Sequence, residues 1–307
     1  MRKKIWKKLA AAVLATSLVF SLTACGSEKK DKDASAADVK TEAGEKSEEK
    51  TEGGKEVKKI TFAYRNTGNW PVTGDDENGN PTGYDIDVLR EVDALLEEYE
   101  FEYVGTSYDD AYVGLEAGNY DAALTNAFWT EARAEKYLIP EQNLGASVLI
   151  LVKTKDHPEI KDLHDLSEAG LKLAPLLAGN GMYYVVKQYN DANPDAKVNI
   201  DPTDDSTYVA GSVEELVAGR YDAVIETKPS FESKVIAEDG DLHGLLNDIS
   251  YSEFTLANTY PMFSKSVGED FLNEFNTALK TVVDNGKASE ISQKFFGYDL
   301  WNYDFSK

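Results

Sequence analysis

The chain has 307 residues, of which 55 are aspartate or glutamate and 32 are lysine or arginine, so its formal net charge is −23. This charge argues against a nucleic-acid-binding protein, because contact with phosphates requires a positively charged surface. The single cysteine excludes disulfide bonds within the chain and zinc sites built from several cysteines.

Residues 1–24 have the pattern of a secretory signal peptide. A start with five lysine or arginine residues precedes an apolar stretch that is short for a membrane span. The stretch ends in Leu22-Thr23-Ala24-Cys25, which resembles the lipobox of bacterial lipoproteins, where the cysteine is diacylated and becomes the mature N-terminus. The alternative is an ordinary signal peptide with an incidental cysteine. We expect a diacylglyceryl anchor on Cys25 that holds the protein at the extracytoplasmic face of the cell membrane, in a Gram-positive bacterium.

Residues 25–58 are predicted to be a disordered tether. They contain no aromatic residue and very few apolar ones, so they cannot bury enough surface to offset the entropy lost on ordering. The remaining chain, from residue 59 onwards, is long enough for two domains.

The folded part begins with "KITFAYR", whose alternating apolar residues predict a strand. The next segment, "GDDENGNPTG", is a turn cluster that predicts a hairpin. It bears a faint likeness to a calcium-binding EF-hand loop, but Gly74 and Asp85 stand where that loop needs an oxygen ligand and a glutamate. From residue 84, apolar residues at helical spacing predict a helix with an acidic first turn.

One phrase occurs twice, as "LEAGNYDAALTN" at 115–126 and "LVAGRYDAVIET" at 216–227. The two copies share six of twelve positions, and each predicts a helix that ends at a glycine and is followed by a buried strand. Ligands of open α/β sheets bind beyond the carboxyl ends of the strands. We therefore expect the two strand ends to face one shared cleft.

The second half continues the alternation of strands and helices, which predicts an α/β fold with a largely parallel sheet. Strand patterns occur at 146–152 and at 197–200, and a glycine-rich loop precedes a helix near residue 181. A long amphipathic helix follows, and a last helix should end at Gly297. The apolar face of the long helix should consist of Phe271, Leu272, Phe275, Ala278, Leu279 and Val282.

From residue 60 to its end, the chain resembles the solute-binding proteins of polar amino-acid ABC transporters (extracellular solute-binding protein family 3). The marks are "NGNPTGYDIDVLREV", "LEAGNYDAALTNAFWTEAR", "LVAGRYDAV" and "LNEFNTALKTVVDNGKASEISQKFFGYD", in the order and spacing of that family. The resemblance implies a type II periplasmic binding protein fold, in which each lobe is a mostly parallel sheet flanked by helices and two hinge strands join the lobes. Lobe 1 would comprise residues 59–150 and 256–307, and lobe 2 residues 151–255.

The resemblance also implies a ligand site between the lobes. The family pattern of an arginine three residues after a threonine matches Thr130 and Arg133, so Arg133 is expected to bind the ligand α-carboxylate with its planar fork of donors. The other first-lobe positions that match the family's ligand contacts or pocket wall are Asn66, Asn69, Trp70, Tyr108, Thr125, Asn126 and Phe128. Tyr108 and Trp70 could instead be core aromatics.

In the second lobe, Gly179 and Asn180 match the family's loop at a helix N-terminus, although its usual hydroxyl residue is missing. Thr227 stands where the family commonly has an aspartate that pairs with the ligand ammonium. Glu226 precedes it, and alternation along a strand predicts that it points to the other face. Thr227 and the "TYPMFSK" segment favour the cystine and sulfur-amino-acid branch.

The resemblance implies a monomeric binding protein, not an enzyme, that captures an amino acid and delivers it to an ABC permease and ATPase complex. No cofactor and no metal are expected. Two alternatives stay open. One is an enzyme like the cyclohexadienyl dehydratases of this fold, with Glu226 as the general acid. The other is a module that senses a ligand for a membrane receptor.

Overall fold

The computed structural model describes residues 57–177, 180–200, 202–203 and 212–305. The predicted signal peptide, Cys25, nearly all of the predicted tether and Gly179 lie outside these residues. All described residues belong to one unit, Gly53–Lys307. Within them, none of the helices combines the length and the apolar character needed to cross a membrane.

Strands and helices alternate along most of the described chain. The strands are β1 (Lys58–Arg65), β2 (Gly74–Asp75), β3 (Pro81–Thr82), β4 (Tyr99–Thr106), β5 (Ala122–Phe128), β6 (Gly145–Thr154), β7 (Leu176–Leu177), β8 (Pro202–Thr203), β9 (Ala223–Thr227) and β10 (Ile249–Phe263). The α-helices are α1 (Tyr84–Asp93), α2 (Tyr108–Glu116), α3 (Glu131–Lys136), α4 (Leu163–Glu168), α5 (Gly181–Ala192), α6 (Ser212–Val217), α7 (Lys228–Phe231), α8 (Gly268–Asp284) and α9 (Lys287–Phe296). The predicted α/β fold class is confirmed.

The main sheet has the strand order β4-β1-β5-β10-β6-β9. Strand β1 pairs in parallel with β4 and β5, whereas β10 runs antiparallel to β5 and β6, and β9 runs antiparallel to β6. The parallel pairs thus lie on one side of β10. Strands β7 and β8 form a separate parallel pair, and β2 and β3 form the predicted hairpin.

The buried side chains form clusters on both sides of the long strands. One cluster packs β1, α1 and α8 around Phe62, Phe263 and Phe275. Along β6 the direction of the side chains alternates: Leu149 and Leu151 join one cluster, whereas Ile150 and Val152 join another. Strand β10 contributes residues to the clusters at both of its ends. Its length therefore links the two regions that the sequence assigns to separate lobes, whose boundaries stay a prediction.

The predicted apolar face of α8 is confirmed. All six of its predicted residues are buried: Phe271, Leu272, Phe275, Ala278, Leu279 and Val282. Helix α9 ends as predicted at Gly297, whose φ of 77° lies in the left-handed region that favours glycine. The strand predicted at 197–200 is not formed; there the backbone of Val198 bonds to the Asn190 side chain instead, and the strand lies at β8.

The repeated phrase forms the same structure in both places. Gly118 and Gly219 end α2 and α6 with φ of 76° and 77°. Asp121 then accepts a hydrogen bond from the backbone N–H of Thr61 at 2.9 Å, and Asp222 accepts one from that of Lys172 at 2.7 Å. Each aspartate thus attaches the start of its strand, β5 or β9, to the neighbouring segment.

Candidate functional site

A cavity of about 880 Å³ lies where β5 and β9 end. Its wall includes the loop after β1 and the first turns of α2 and α5. Nine of the residues predicted for the ligand site line it: Asn69, Trp70, Tyr108, Thr125, Asn126, Phe128, Arg133, Asn180 and Thr227. The expectation that both copies of the repeated phrase deliver a strand end to one cleft is therefore confirmed.

Arg133 is held in place by three local hydrogen bonds. The Thr130 hydroxyl caps α3 by accepting from the backbone N–H of Arg133 at 3.2 Å. One guanidinium nitrogen donates to the carbonyl of Phe128 at 2.7 Å, and the other terminal nitrogen donates to the Tyr108 hydroxyl at 3.1 Å. No carboxylate of the described residues forms a salt bridge with Arg133. Its charge is therefore available to an anionic group in the cavity.

Two tyrosines pack next to Arg133: Tyr108, which accepts its hydrogen bond, and Tyr112, which contacts Tyr108. The rings of Tyr108 and Tyr112 lie 5.2 Å apart, and the Tyr112 hydroxyl is 2.9 Å from the hydroxyl of Thr125. Burial raises the pKa of Tyr112 to about 12, so this phenol keeps its proton near neutral pH. Tyr108 is 39% exposed, so it is a wall residue of the cavity rather than a core aromatic.

The backbone of β5 is distorted where it reaches the cavity. Asn126 has φ of 55°, in the left-handed region that non-glycine residues rarely adopt. Its side-chain amide donates to the hydroxyl of Ser147 on β6 at 3.0 Å. Strained backbone that is held by its surroundings is a common feature of binding sites.

The polar side chains of the loop after β1 form hydrogen bonds mainly within that loop. The Asn69 amide donates to Thr73, whose hydroxyl donates to the carbonyl of Arg65 at 2.6 Å. Trp70 is 59% exposed and packs edge-on against Phe295, so its ring is not part of the core. Asn66 is not among the residues that line the cavity, because its amide is directed to the carboxylate of Asp75 in the hairpin.

Helix α5 meets the end of β5 very closely. Asn180 caps α5 by accepting from the backbone N–H of Met182 at 2.7 Å, so it takes the role of the missing hydroxyl residue. A Cβ on Gly181 would lie 1.9 Å from the ring of Phe128. Glycine is therefore required at this contact. Gly179, the other predicted residue of this loop, lies outside the described residues.

Glu226 lies on the other face of β9 from Thr227, as predicted, because it pairs with Ile150 of β6 whereas Thr227 pairs with Leu149; both residues nevertheless line the cavity. Strand β9 ends at Thr227 and α7 begins at the next residue, so residues from both faces of the strand border the cavity at this end. Burial raises the pKa of Glu226, while Lys234, Ser230 and the backbone N–H of Thr227 favour its ionised form. The cavity thus contains an acid one position before the expected one.

Sequence reasoning missed several residues of the wall, including two cations. Arg65 directly follows the core of β1, so the rule that ligands bind at the carboxyl ends of strands could have found it. Lys234 lies in a short π-helical turn, Glu232–Ile236, for which the sequence shows no signal. Among the described residues, no group of acidic, histidine or cysteine side chains could hold a metal ion.

A second cavity, of about 620 Å³, lies next to the first and shares Phe128 and Gly181 with it. Its wall is rich in aromatic residues, with Trp129 and Tyr184 in ring contact at 5.3 Å. No arginine or lysine of the described residues lines it. The predicted ligand residues therefore define the larger cavity as the candidate site.

The chain is similar to several known proteins. L-cystine-binding protein TcyK of Bacillus subtilis is 24% identical over 230 residues, which cover 73% of this chain and 78% of the relative. A probable amino-acid ABC transporter-binding protein of Haemophilus influenzae is 27% identical over 241 residues, covering 75% of this chain and 82% of the relative.

A solved structure is also similar, with a TM-score of 0.55 and 25% identity, covering 80% of this chain and 97% of the other. It comes from work on glutathione import in Gram-positive bacteria through GshT and the cystine ABC importer TcyBC of Streptococcus mutans. The predicted type II periplasmic binding protein fold is confirmed by such neighbours.

The model of the bacterial extracellular solute-binding proteins, family 3, matches residues 60–298, which are most of the chain. The match begins within β1 and ends just after α9, so it includes every element that lines the cavity. The resemblance inferred from the sequence motifs is thereby confirmed. The chain belongs to the bacterial extracellular solute-binding proteins, family 3.

Proposed function

We propose that this protein captures extracellular L-cystine, or a closely related amino acid, in the larger cavity and delivers it to an ABC permease and ATPase complex. The similarity to L-cystine-binding protein TcyK supports the choice of ligand. The lipobox at Cys25 supports attachment to the membrane beside such a transporter.

The observation that carries the proposal is the position of Arg133. Its guanidinium lines the cavity, is oriented by two neutral acceptors and forms no salt bridge with the described carboxylates. An arginine fork that is held in place in this way matches the two oxygens of an α-carboxylate. The ligand would supply the counter-charge that the protein does not.

Glu226 gives the α-ammonium a partner. The family's usual aspartate is replaced by Thr227, but Glu226 lines the same cavity. Ionised Glu226 and the hydroxyl of Thr227 can both accept hydrogen bonds from an ammonium group. Arg133 and Glu226 together thus fit the two charges of an amino acid.

A thermal-shift screen of the full chain, purified in mild detergent, tests the proposal. The panel contains the twenty amino acids, cystine, S-methylcysteine, short peptides and prephenate. Ligand at a hundredfold excess over its dissociation constant adds about 2.7 kcal/mol, which raises the unfolding midpoint by roughly 5–10 °C. A shift with cystine or a small group of amino acids supports the proposal, and no shift with any amino acid contradicts it.

One observation favours a second candidate, an enzyme that eliminates a leaving group from a cyclic acid. The raised pKa of Glu226 inside the cavity is a property of general acids. If this candidate is correct, incubation with prephenate releases phenylpyruvate at a rate that Glu226→Gln abolishes. If prephenate is stable with the wild-type protein, the candidate is wrong and the binding function stands.

A further inference from the structure

The charge of the larger cavity is opposite to that of the protein. In the whole chain acidic residues outnumber basic ones by 55 to 32. The charged residues that line the cavity are Arg65, Arg133, Lys234 and Glu226, so three cations face one acid. A ligand with one carboxylate and one ammonium would leave this excess of positive charge uncompensated.

Arg65 is placed by its own loop rather than by an acidic partner. Its Nε donates to the carbonyl of Thr67 at 2.9 Å, and a terminal nitrogen lies 3.0 Å from the point where Gly68 would carry a Cβ. The guanidinium thus folds over the loop that leads to Asn69 and Trp70. No salt bridge joins Arg65 to a described carboxylate.

Lys234 differs in this respect from its neighbour Lys228. Lys228 is neutralised by Glu232 at 2.8 Å and by Glu253 at 2.6 Å. Lys234 forms no salt bridge with a described carboxylate, although its charge favours the ionised form of Glu226. Of these two lysines, the one without a paired acid is the one that lines the cavity.

A solvated cation on an open surface needs no partner, because water screens it. The same cation is costly when a cavity closes and water leaves, unless an opposite charge is present. Arg65 and Lys234 line the cavity that receives the ligand, so their charges would be compensated best by the ligand itself.

We propose that Arg65 and Lys234 form a second carboxylate subsite, distinct from Arg133, so that the ligand carries a carboxylate at each end and needs only one ammonium group. This inference rests on the proposed function, since it assumes that Arg133 binds the first carboxylate. The volume of about 880 Å³ has room for such an elongated ligand.

Three disulfides of nearly equal length separate the contributions of the charged groups. Cystine has two carboxylates and two ammonium groups. The mixed disulfide of cysteine and cysteamine lacks one carboxylate, whereas that of cysteine and 3-mercaptopropionate lacks one ammonium. Dissociation constants are measured by calorimetry near neutral pH. The full chain carries Cys25→Ser, which removes its one thiol and so prevents exchange.

The second subsite predicts that loss of one carboxylate weakens binding by roughly tenfold or more, while loss of one ammonium weakens it much less. In Lys234→Gln and in Arg65→Gln, cystine and the cysteamine disulfide should bind with similar affinities. Lys187→Gln is the matched control, because Lys187 is exposed on α5 and paired with Asp191, away from the cavity wall. It should keep the wild-type preference.

The outcomes separate the two proposals. If the wild-type protein binds the cysteamine disulfide as tightly as cystine, the second subsite is wrong and the proposed function stands. The same holds if both variants keep the wild-type preference for cystine. If none of the three disulfides and no free amino acid binds, the proposed function fails and the second subsite fails with it.

Discussion

At the residue scale, Arg133 is the side chain that we propose binds the ligand carboxylate. Replacement by alanine removes the donors that face the cavity, so we expect the affinity for cystine to fall by about tenfold to a hundredfold. Arg133→Lys should recover little of the loss, because an ammonium lacks the planar fork of a guanidinium. Calorimetry measures both effects.

Lys136→Ala is the control, since Lys136 lies on the same short helix but is 65% exposed and paired with Glu116. Its affinity for cystine should be unchanged. Wild-type affinity in Arg133→Ala would contradict the assignment of the carboxylate site.

Glu226 should give ligand binding a dependence on pH. Binding of an ammonium needs the ionised carboxylate, and burial raises the pKa of Glu226 above that of an exposed glutamate, which is about 4.3. As the pH falls, the affinity of the wild-type protein should therefore decrease at a higher pH than it would if Glu226 had the pKa of an exposed glutamate. Glu226→Gln should bind more weakly near neutral pH and show a flat profile over the same range.

Dissociation constants between about pH 4.5 and pH 8 test this expectation. Glu214→Gln, an exposed residue of α6, is the control and should reproduce the wild-type profile. Equal profiles for wild type and Glu226→Gln would show that Glu226 does not hold the ammonium.

At the scale of single elements, the two copies of the repeated phrase have a structural explanation. In each, a glycine with positive φ ends a helix, and an aspartate three residues later accepts a hydrogen bond from the neighbouring segment. The glycine and the aspartate therefore serve the fold. The residues that we propose bind the ligand follow them, at the strand ends, where the two copies differ: Thr125 and Asn126 in one copy, Glu226 and Thr227 in the other.

Helix α1 contains a buried acid that should make stability depend on pH. Asp85 is 3% exposed, one of its carboxylate oxygens has no partner among the described residues, and burial raises its pKa to about 8. In the unfolded chain the same group titrates near 3.9. Unfolding therefore releases a proton between about pH 4 and pH 8, so stability falls as the pH rises through this window.

We expect Asp85→Asn to remove this dependence and to raise the free energy of unfolding above pH 8 by on the order of a few kcal/mol. The dipole of α1 favours an anion at this position and so reduces the effect. Thermal unfolding between pH 5 and pH 9 measures this effect.

Asp87→Asn on the same helix is the control. It loses the pairs with Arg90 and Lys294 and should be destabilised at neutral pH. Parallel pH profiles for wild type and Asp85→Asn would contradict the prediction.

At the scale of the whole molecule, the contact of Gly181 with Phe128 joins α5 to the end of β5 beside the cavity. If these elements belong to lobes that close on the ligand, a methyl group here should hold them apart. Ligand binding would then shift the population toward a closed state, because only that state would let the ligand contact both lobes. Gly181→Ala should therefore weaken cystine binding, whereas the unfolding midpoint of the free protein should change little.

Gly244→Ala is the matched control, since its Cβ would meet nothing within 4 Å. A second change, Phe128→Ala in the Gly181→Ala background, makes room for the methyl group and should recover part of the affinity. Small-angle scattering with and without cystine should show a smaller compaction in Gly181→Ala than in the wild type. Equal compaction would contradict a role of this contact in closure.

The sequence by itself determined those features that depend on local pattern. The apolar face of α8, the glycine ends of α2, α6 and α9, and the buried strand β5 follow from helical and strand periodicity and from the conformational freedom of glycine. The family follows from motifs in a fixed order. The position of Arg133 on the cavity follows from that resemblance together with the rule for strand ends.

Only the tertiary structure decided which further side chains enter the cavity. Glu226 lines it from the other face of β9 than Thr227, because the cavity lies at the end of that strand, where α7 begins. Asn66 leaves the wall because Asp75, on a hairpin strand, attracts its amide. Arg65 and Lys234 come from distant parts of the chain and line the same cavity. The orientation of these side chains depends on contacts between elements, which cannot be predicted from periodicity or composition.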